Sequence, residues 1–285
     1  MDQMGSRDRE KLGFTLVELM IVMAISGIVM TGIYTVYSTQ QKSYVTQEEV
    51  AGMQQNLRAC MYFMEREIMS AGADPSKAAG ATIVTSGPTT INFTMDITDN
   101  AGTGNPDDDV NDANENIAYG FNAADDANGD GIADAGTAPL RRNNGGGLQP
   151  FVEGVHAVGF AYAYDTNPLD GFIDTAGGNV IWGVPNAGGG WNDLDANGDG
   201  AIDVADDAAD GLPDGVLTGI ATGTTINTAD IRAVRIWVLV RSDRRAVDYQ
   251  NTNTYVVGSR VITPNDGFRR RLLSTVVQCR NMGLK

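Results

Sequence analysis

From Leu19 to Gln41 the chain carries no charged side chain, and Leu19 to Tyr37 is mostly Leu, Ile, Val, Met and Ala. A helix needs about 20 apolar residues to cross a bilayer core, so this run predicts a membrane span over about 14–37. After Tyr37 the pattern becomes one-sided. Val50, Met53, Leu57, Cys60/Met61, Met64 and Ile68 recur at three- and four-residue spacing, while Glu48, Glu49, Gln55, Arg58 and Arg66 fall largely off that stripe. Gly72 followed by Asp74-Pro75 is a stop signal. The spacing therefore predicts one helix from about Phe14 to Ala71, on the order of 85 Å long at 1.5 Å per residue. Gly27 and Gly32 are the places where it would bend or locally melt.

Beyond Pro75 the period is two. Ile91, Phe93, Met95 and Ile97 alternate with polar residues, and Ile117, Tyr119 and Phe121 form a second short run. Val158, Phe160, Tyr162 and Tyr164 alternate with Gly159, Ala161 and Ala163. Ile231 to Val240 is the strongest strand, with Val234, Ile236, Val238 and Val240 on one face and Arg235, Trp237 and Leu239 on the other. A closing strand runs from about Arg270 to Cys279. The expected fold is α+β: a long N-terminal helix, membrane-spanning then amphipathic, packed on an antiparallel β-sheet head with long Asp/Asn/Gly-rich loops. The expected division is 1–13 leader, 14–72 helix and 73–285 head. The loops Asp99–Asn116, Asn122–Gln149 and Asp165–Asp230 exceed the usual connection length, which marks them as functional or disordered.

Composition narrows the function classes. The 285 residues carry a net charge of −16, which argues against a nucleic-acid surface and against docking on anionic lipid. Removing 1–13 leaves that charge unchanged, because Arg7, Arg9 and Lys11 balance Asp2, Asp8 and Glu10. Two cysteines are too few for a disulfide scaffold. Cys60 and Cys279 are either bridged, closing a loop of about 220 residues, or two separate packed thiols. The one histidine, His156, lies inside an expected strand, so no Ser-His-Asp or Cys-His arrangement is available. The glycine triplets at 145–147 and 188–190 lack a following Lys-Ser/Thr and are not phosphate loops. The chain does not read as an enzyme or as the holder of an organic cofactor.

Two loops share the order D-x-N-x-D-G-x-x-D. One is Asp126, Asn128, Asp130, Gly131, Ile132 and Asp134; the other is Asp195, Asn197, Asp199, Gly200, Ala201 and Asp203. Oxygen side chains at alternate positions can wrap a hard cation, with glycine at the sixth position for the sharp turn and a backbone carbonyl (Ile132 or Ala201) at the seventh. The second loop adds Asp206 at the twelfth position, where a carboxylate closes such sites; the first has Thr137 there. The Asp195 loop resembles the calcium loops of dockerins and thrombospondin-type repeats. Asp206, Asp210, Gly211 and Asp214 continue the spacing without an oxygen at Ala208, and Asp165, Asn167, Asp170, Gly171 and Asp174 form a distorted relative. Solvated acidic turns are the competing reading, since Asp, Asn and Gly favour turns anyway.

Gly13-Phe14-Thr15-Leu16-Val17-Glu18, after a leader containing Arg7, Arg9 and Lys11, opens the apolar run. The basic leader holds the N-terminus on the cytoplasmic side, and a carboxylate at membrane depth marks a functional residue. The hexapeptide resembles the processing site of type IV prepilins and type II secretion pseudopilins. That resemblance implies cleavage between Gly13 and Phe14 by a prepilin peptidase, N-methylation of Phe14, and pairing of Glu18 with the amine of a neighbouring subunit. Gln41-Lys42-Ser43-Tyr44, Met61 to Ile68, Val234 to Ser242 and Arg280-Asn281 are similar to PilW-type minor pilins. The implied role is a structural subunit that primes or caps a type IV pilus with other minor pilins. Its implied location is the inner membrane, head in the periplasm, and then the pilus tip. A J-type pseudopilin of a type II secretion system and a pilin-anchored calcium-dependent adhesin are the alternatives.

Overall fold

The computed structural model describes residues 13–99, 101–166 and 170–283. It divides into two compact units, one ending at Glu49 and one beginning at Val50. The boundary falls inside helix α1 (Leu16–Met69). In the first unit the helix runs unbroken through Gly27 and Gly32, where the sequence allowed a bend. Thr31 donates its hydroxyl to the Gly27 carbonyl at 2.8 Å, so that carbonyl has a second partner. The apolar side chains from Leu16 to Tyr37 are exposed, and the helix is long and apolar enough to cross a membrane.

The second unit starts with the amphipathic half of α1. Met53, Leu57, Cys60, Met61, Met64 and Ile68 are buried, as their spacing predicts. The following strands are β1 (Ile83–Ser86), β2 (Ile91–Thr94), β3 (Asn116–Gly120), β4 (Ala138–Asn143) and β5 (Leu148–Tyr164). Then come β6 (Thr175–Ala176), β7 (Asn179–Val180), β8 (Gly183–Pro185), β9 (Trp191–Asp193), helix α2 (Val204–Ala209) and β10 (Ile220–Ala221). The chain ends with β11 (Ile231–Arg241), β12 (Tyr255–Val257), β13 (Arg260–Ile262) and β14 (Arg270–Gln278). Strands β1 to β5 form a meander that continues through β8, β9 and β10, while β11 pairs with β5 and with β14. Every ladder is antiparallel.

The centre of the sheet is β5 and β11, joined in register from Val240↔Val155 to Ile231↔Tyr164. Alternation splits their side chains between two cores. Val158, Phe160, Tyr162, Val234, Ile236 and Val238 pack with the buried stripe of α1. Ala157, Ala161, Ala163, Ala233, Trp237 and Leu239 pack on the other side with Trp182, Leu194, Ile202, Leu217, Val257 and Ile262. This second core was not legible as structure in the sequence. The segment 165–230, expected as a loop, contributes β6 to β10, α2 and four of those apolar anchors. Its hydrophobic residues stand singly between Gly, Asp and Asn, so no period-two run announces its short strands.

Candidate functional site

Gly13, Phe14 and Thr15 precede α1 and are not helical. Phe14 is 90% exposed, and a side chain added at Gly13 would meet nothing within 4 Å. The bond between them therefore lies in a non-helical, exposed segment. The rest of the expected leader, residues 1–12, lies outside the described residues. Thr15 and Glu18 form a reciprocal cap. Glu18 N–H donates to Thr15 Oγ1 at 3.2 Å, and the Thr15 backbone N–H and hydroxyl each donate to Glu18 Oε2 at 2.9 Å. This is the Thr-x-x-Glu capping box, which satisfies donors at a helix start. The sequence carries that signal too, beside the two that single out Glu18 there: its charge at membrane depth and the prepilin resemblance. The cap fixes its carboxylate at the first turn of α1, one turn from Phe14.

The two Asp-Asn-Gly loops fold alike. In the first, Asp126 Oδ1 accepts from Asp130 N–H at 3.1 Å and Oδ2 from Gly131 N–H at 2.8 Å. In the second, Asp195 Oδ1 accepts from Asp199 N–H at 3.1 Å and Oδ2 from Gly200 N–H at 2.8 Å. Asn128 and Asn197 each accept from the backbone of the fifth-position aspartate, at 3.1 and 2.8 Å, and each donates to its side chain. Asp130 and Asp199 accept from Ile132 N–H and Ala201 N–H, both at 2.8 Å. Gly131 and Gly200 have φ of 82° and 89°, the left-handed conformation glycine adopts without strain.

The loops close differently. Asp134 accepts from Ala127 N–H at 2.9 Å. In the second loop Asp206, fully buried in α2, takes over: Oδ1 accepts from Asn197 N–H at 3.1 Å and Oδ2 from Asp203 N–H at 2.9 Å. Asp203 is the N-cap of α2. Burial, first, and the nearby Asp195 charge raise the Asp206 carboxyl above its ordinary range, opposed by the backbone donors. A carboxylate offers about four lone-pair sites, so these bonds leave Asp195 and Asp206 acceptor capacity for a cation. The continuation Asp206–Asp214 is not a loop of this kind, because Asp206 to Ala209 are helical. In the distorted relative, Asn167 lies outside the described residues, and Asp174 Oδ2 accepts from the Thr166 hydroxyl at 2.5 Å.

Three further carboxylates, Asp107, Asp109 and Asp112, bring oxygens within 4.8 Å of one another. Their spacing lacks the sixth-position glycine of the loop template, and so escaped notice. Cys60 and Cys279 are free, buried thiols; the bridge left open by the sequence is not formed, and Cys60 donates to Met64 Sδ at 3.6 Å. His156 Nδ1 bonds the Gly136 carbonyl at 2.5 Å, a structural tie between β5 and the turn before β4. A cleft of about 370 Å³ beside the Asp195 loop is lined by Tyr164, Asp174, Asp193, Asp195, Asn197 and Thr222, among others.

Residues 8–34 match the prokaryotic N-terminal methylation motif, and 128–281 match the model of type IV pilus-assembly protein W. A type IV-like pilin from Thermus thermophilus is similar in structure, at 16% identity over 80% of this chain and 97% of that one, with a TM-score of 0.39. No curated protein matches. The pilus-assembly match covers just over half of the chain and includes β5, β11 and β14, so the chain belongs to the type IV pilus-assembly protein W family.

Proposed function

We propose that this protein is a low-copy subunit that primes or caps a type IV pilus, seated at the tip with other minor pilins. The family is one of pilus assembly, structural rather than enzymatic, and its N-terminal methylation motif implies processing by a prepilin peptidase. The observation that carries the reading is the capped, accessible Phe14–Glu18 terminus on a helix whose apolar side chains from Leu16 to Tyr37 are exposed. Those side chains suit first the inner membrane and then the helical core of a filament. A carboxylate there needs a counter-charge, and the freed amine at Phe14 of a neighbour supplies one. Low copy number follows from size, since about 210 residues of head with long loops would crowd a closely packed shaft. The family match supports the pilus over a type II secretion pseudopilus.

The Asp195 loop is proposed to bind calcium through Asp195, Asn197, Asp199 and Asp206, the Ala201 carbonyl, and Asp203. The Asp126 loop, with Asn128, Asp130, the Ile132 carbonyl and Asp134, is a second candidate. Their shared bond pattern supports both. A calcium-dependent adhesin is a second reading, favoured by the cleft that shares Asp195 and Asn197 with the loop. Co-purification after mild membrane extraction tests the main proposal. Other minor pilins in stoichiometric complex are expected; recovery with secretion-system pseudopilins alone would overturn it.

A further inference from the structure

Under the loop that follows β2 lies a carboxylate that no Lys or Arg among the described residues neutralises. Asp96 is fully buried, its Oδ1 accepts from Asp107 N–H at 3.1 Å, and its Oδ2 is buried without a hydrogen-bond partner. Asp112, 9% exposed, likewise has a buried Oδ2 with no partner. Glu115 is fully buried between them, but its oxygens are taken. Oε1 accepts from Ile97 N–H at 2.8 Å and Thr98 N–H at 2.9 Å, and Oε2 from Asp112 N–H at 3.3 Å. Among the described residues no Lys or Arg forms an ion pair with Asp96, Asp112 or Glu115. An unpaired carboxylate oxygen out of water is expensive, and several together more so.

The missing charge has a place to sit. Asp107, Asp109 and Asp112 bring carboxylate oxygens within 4.8 Å of one another, and the backbone N–H of Asp107 in the same run donates to Asp96 Oδ1. Two oxygens bound to one calcium at 2.3–2.6 Å lie at most about 5 Å apart, so the spread fits. Asp108 is held at φ 72° and Asn114 at φ 70°, left-handed conformations that L residues adopt reluctantly.

We propose that Asp107, Asp109 and Asp112, in the run whose Asp107 N–H bonds the buried Asp96 carboxylate, form a calcium site distinct from both Asp-Asn-Gly loops. The ion is held by the three carboxylates, with water completing the six to eight oxygens calcium takes. Its charge offsets Asp96 and orders the loop against the end of β2.

The test is calcium chloride titrated into the full chain in detergent, read by native mass spectrometry for stoichiometry and by melting temperature. Asp109→Asn, at a half-exposed position, should keep the fold and lose one calcium relative to the parent. Asp112→Asn should lose the same calcium and melt higher than the parent without calcium, because a buried charge is gone. Asp199→Ala with Asp206→Ala, directed at the Asp195 loop, should leave this calcium bound, so failure there and failure here are distinguishable. Unchanged stoichiometry in Asp109→Asn and Asp112→Asn overturns the proposal, even if Asp112→Asn still raises the calcium-free melting temperature.

Discussion

Arg142 grips Glu67 through two parallel bonds, Nε to Oε2 at 3.0 Å and Nη2 to Oε1 at 2.8 Å. The Tyr119 hydroxyl donates to the same Oε2. One carboxylate near the end of α1 is thus tied to β3 and to β4. Charge-assisted, bidentate bonds of this kind are the strong ones, and both side chains are only about a fifth to a quarter exposed, 19% for Arg142 and 25% for Glu67. Truncating Glu67→Ala leaves Arg142 and the Tyr119 hydroxyl without their acceptor. A loss of about 2 kcal/mol is expected, with about 1 kcal/mol for Tyr119→Phe. Urea unfolding checks both; midpoints should fall with the slope unchanged.

Thr15→Val removes the hydroxyl that both accepts from Glu18 N–H and donates to its carboxylate. The cap should weaken by about 1 kcal/mol while the charge of Glu18 stays. Cleavage after Gly13 should persist in Thr15→Val and in Glu18→Ala. Incorporation into sheared pili, measured by immunoblot against the membrane pool, should fall slightly for the first and severely for the second. Equal incorporation of Glu18→Ala and wild type contradicts the pairing role.

Calcium should raise the melting temperature of the head at millimolar concentration, and chelator should reverse it. Extracellular calcium modules bind with Kd of about 10⁻⁴–10⁻³ M, and stabilisation follows RT ln(1 + [L]/Kd). Asp199→Ala with Asp206→Ala should remove one calcium. Calorimetry that finds no binding by this loop at millimolar calcium makes it a solvated acidic turn.

Burial pushes both the Cys60 and the Cys279 thiols up to about 12. Folded protein at pH 8 should therefore react with disulfide reagents only as fast as it opens, since the thiolate is the nucleophile. In denaturant without reductant two free thiols are expected. A count of zero would mean a bridge that the folded chain does not show.

What the sequence revealed tracks periodicity. The stripe from Met53 to Ile68 and the strands β5, β11 and β14 were legible because each repeats over many residues. The alternation of Ile91, Phe93, Met95 and Ile97 predicted too long a strand. Pairing ends at Thr94, and Ile97 is 41% exposed, because Glu115 takes the Ile97 and Thr98 backbone N–H groups. Gly159, Ala161 and Ala163 gave β5 a second face with little apparent payload. Its meaning is tertiary: a Cβ on Gly159 would lie 2.7 Å from Gly258 Cα, in the turn joining β12 and β13. The paired loops were visible as an ordered motif. The Asp107–Asp112 group was not, since its carboxylates follow no loop template and the buried Asp96 that accepts from the Asp107 N–H comes from outside that run.

The proposal that this chain is cut after Gly13, methylated at Phe14 and built into a type IV pilus as a minor component is tested by intact-mass and peptide mass spectrometry of the protein recovered from sheared pili. The expected chain begins at Phe14 with a methylated amine and is present at a small fraction of the main subunit. A chain in the pili that retains residues 1–13, or its absence from pili while processed protein accumulates in the membrane, would contradict the claim.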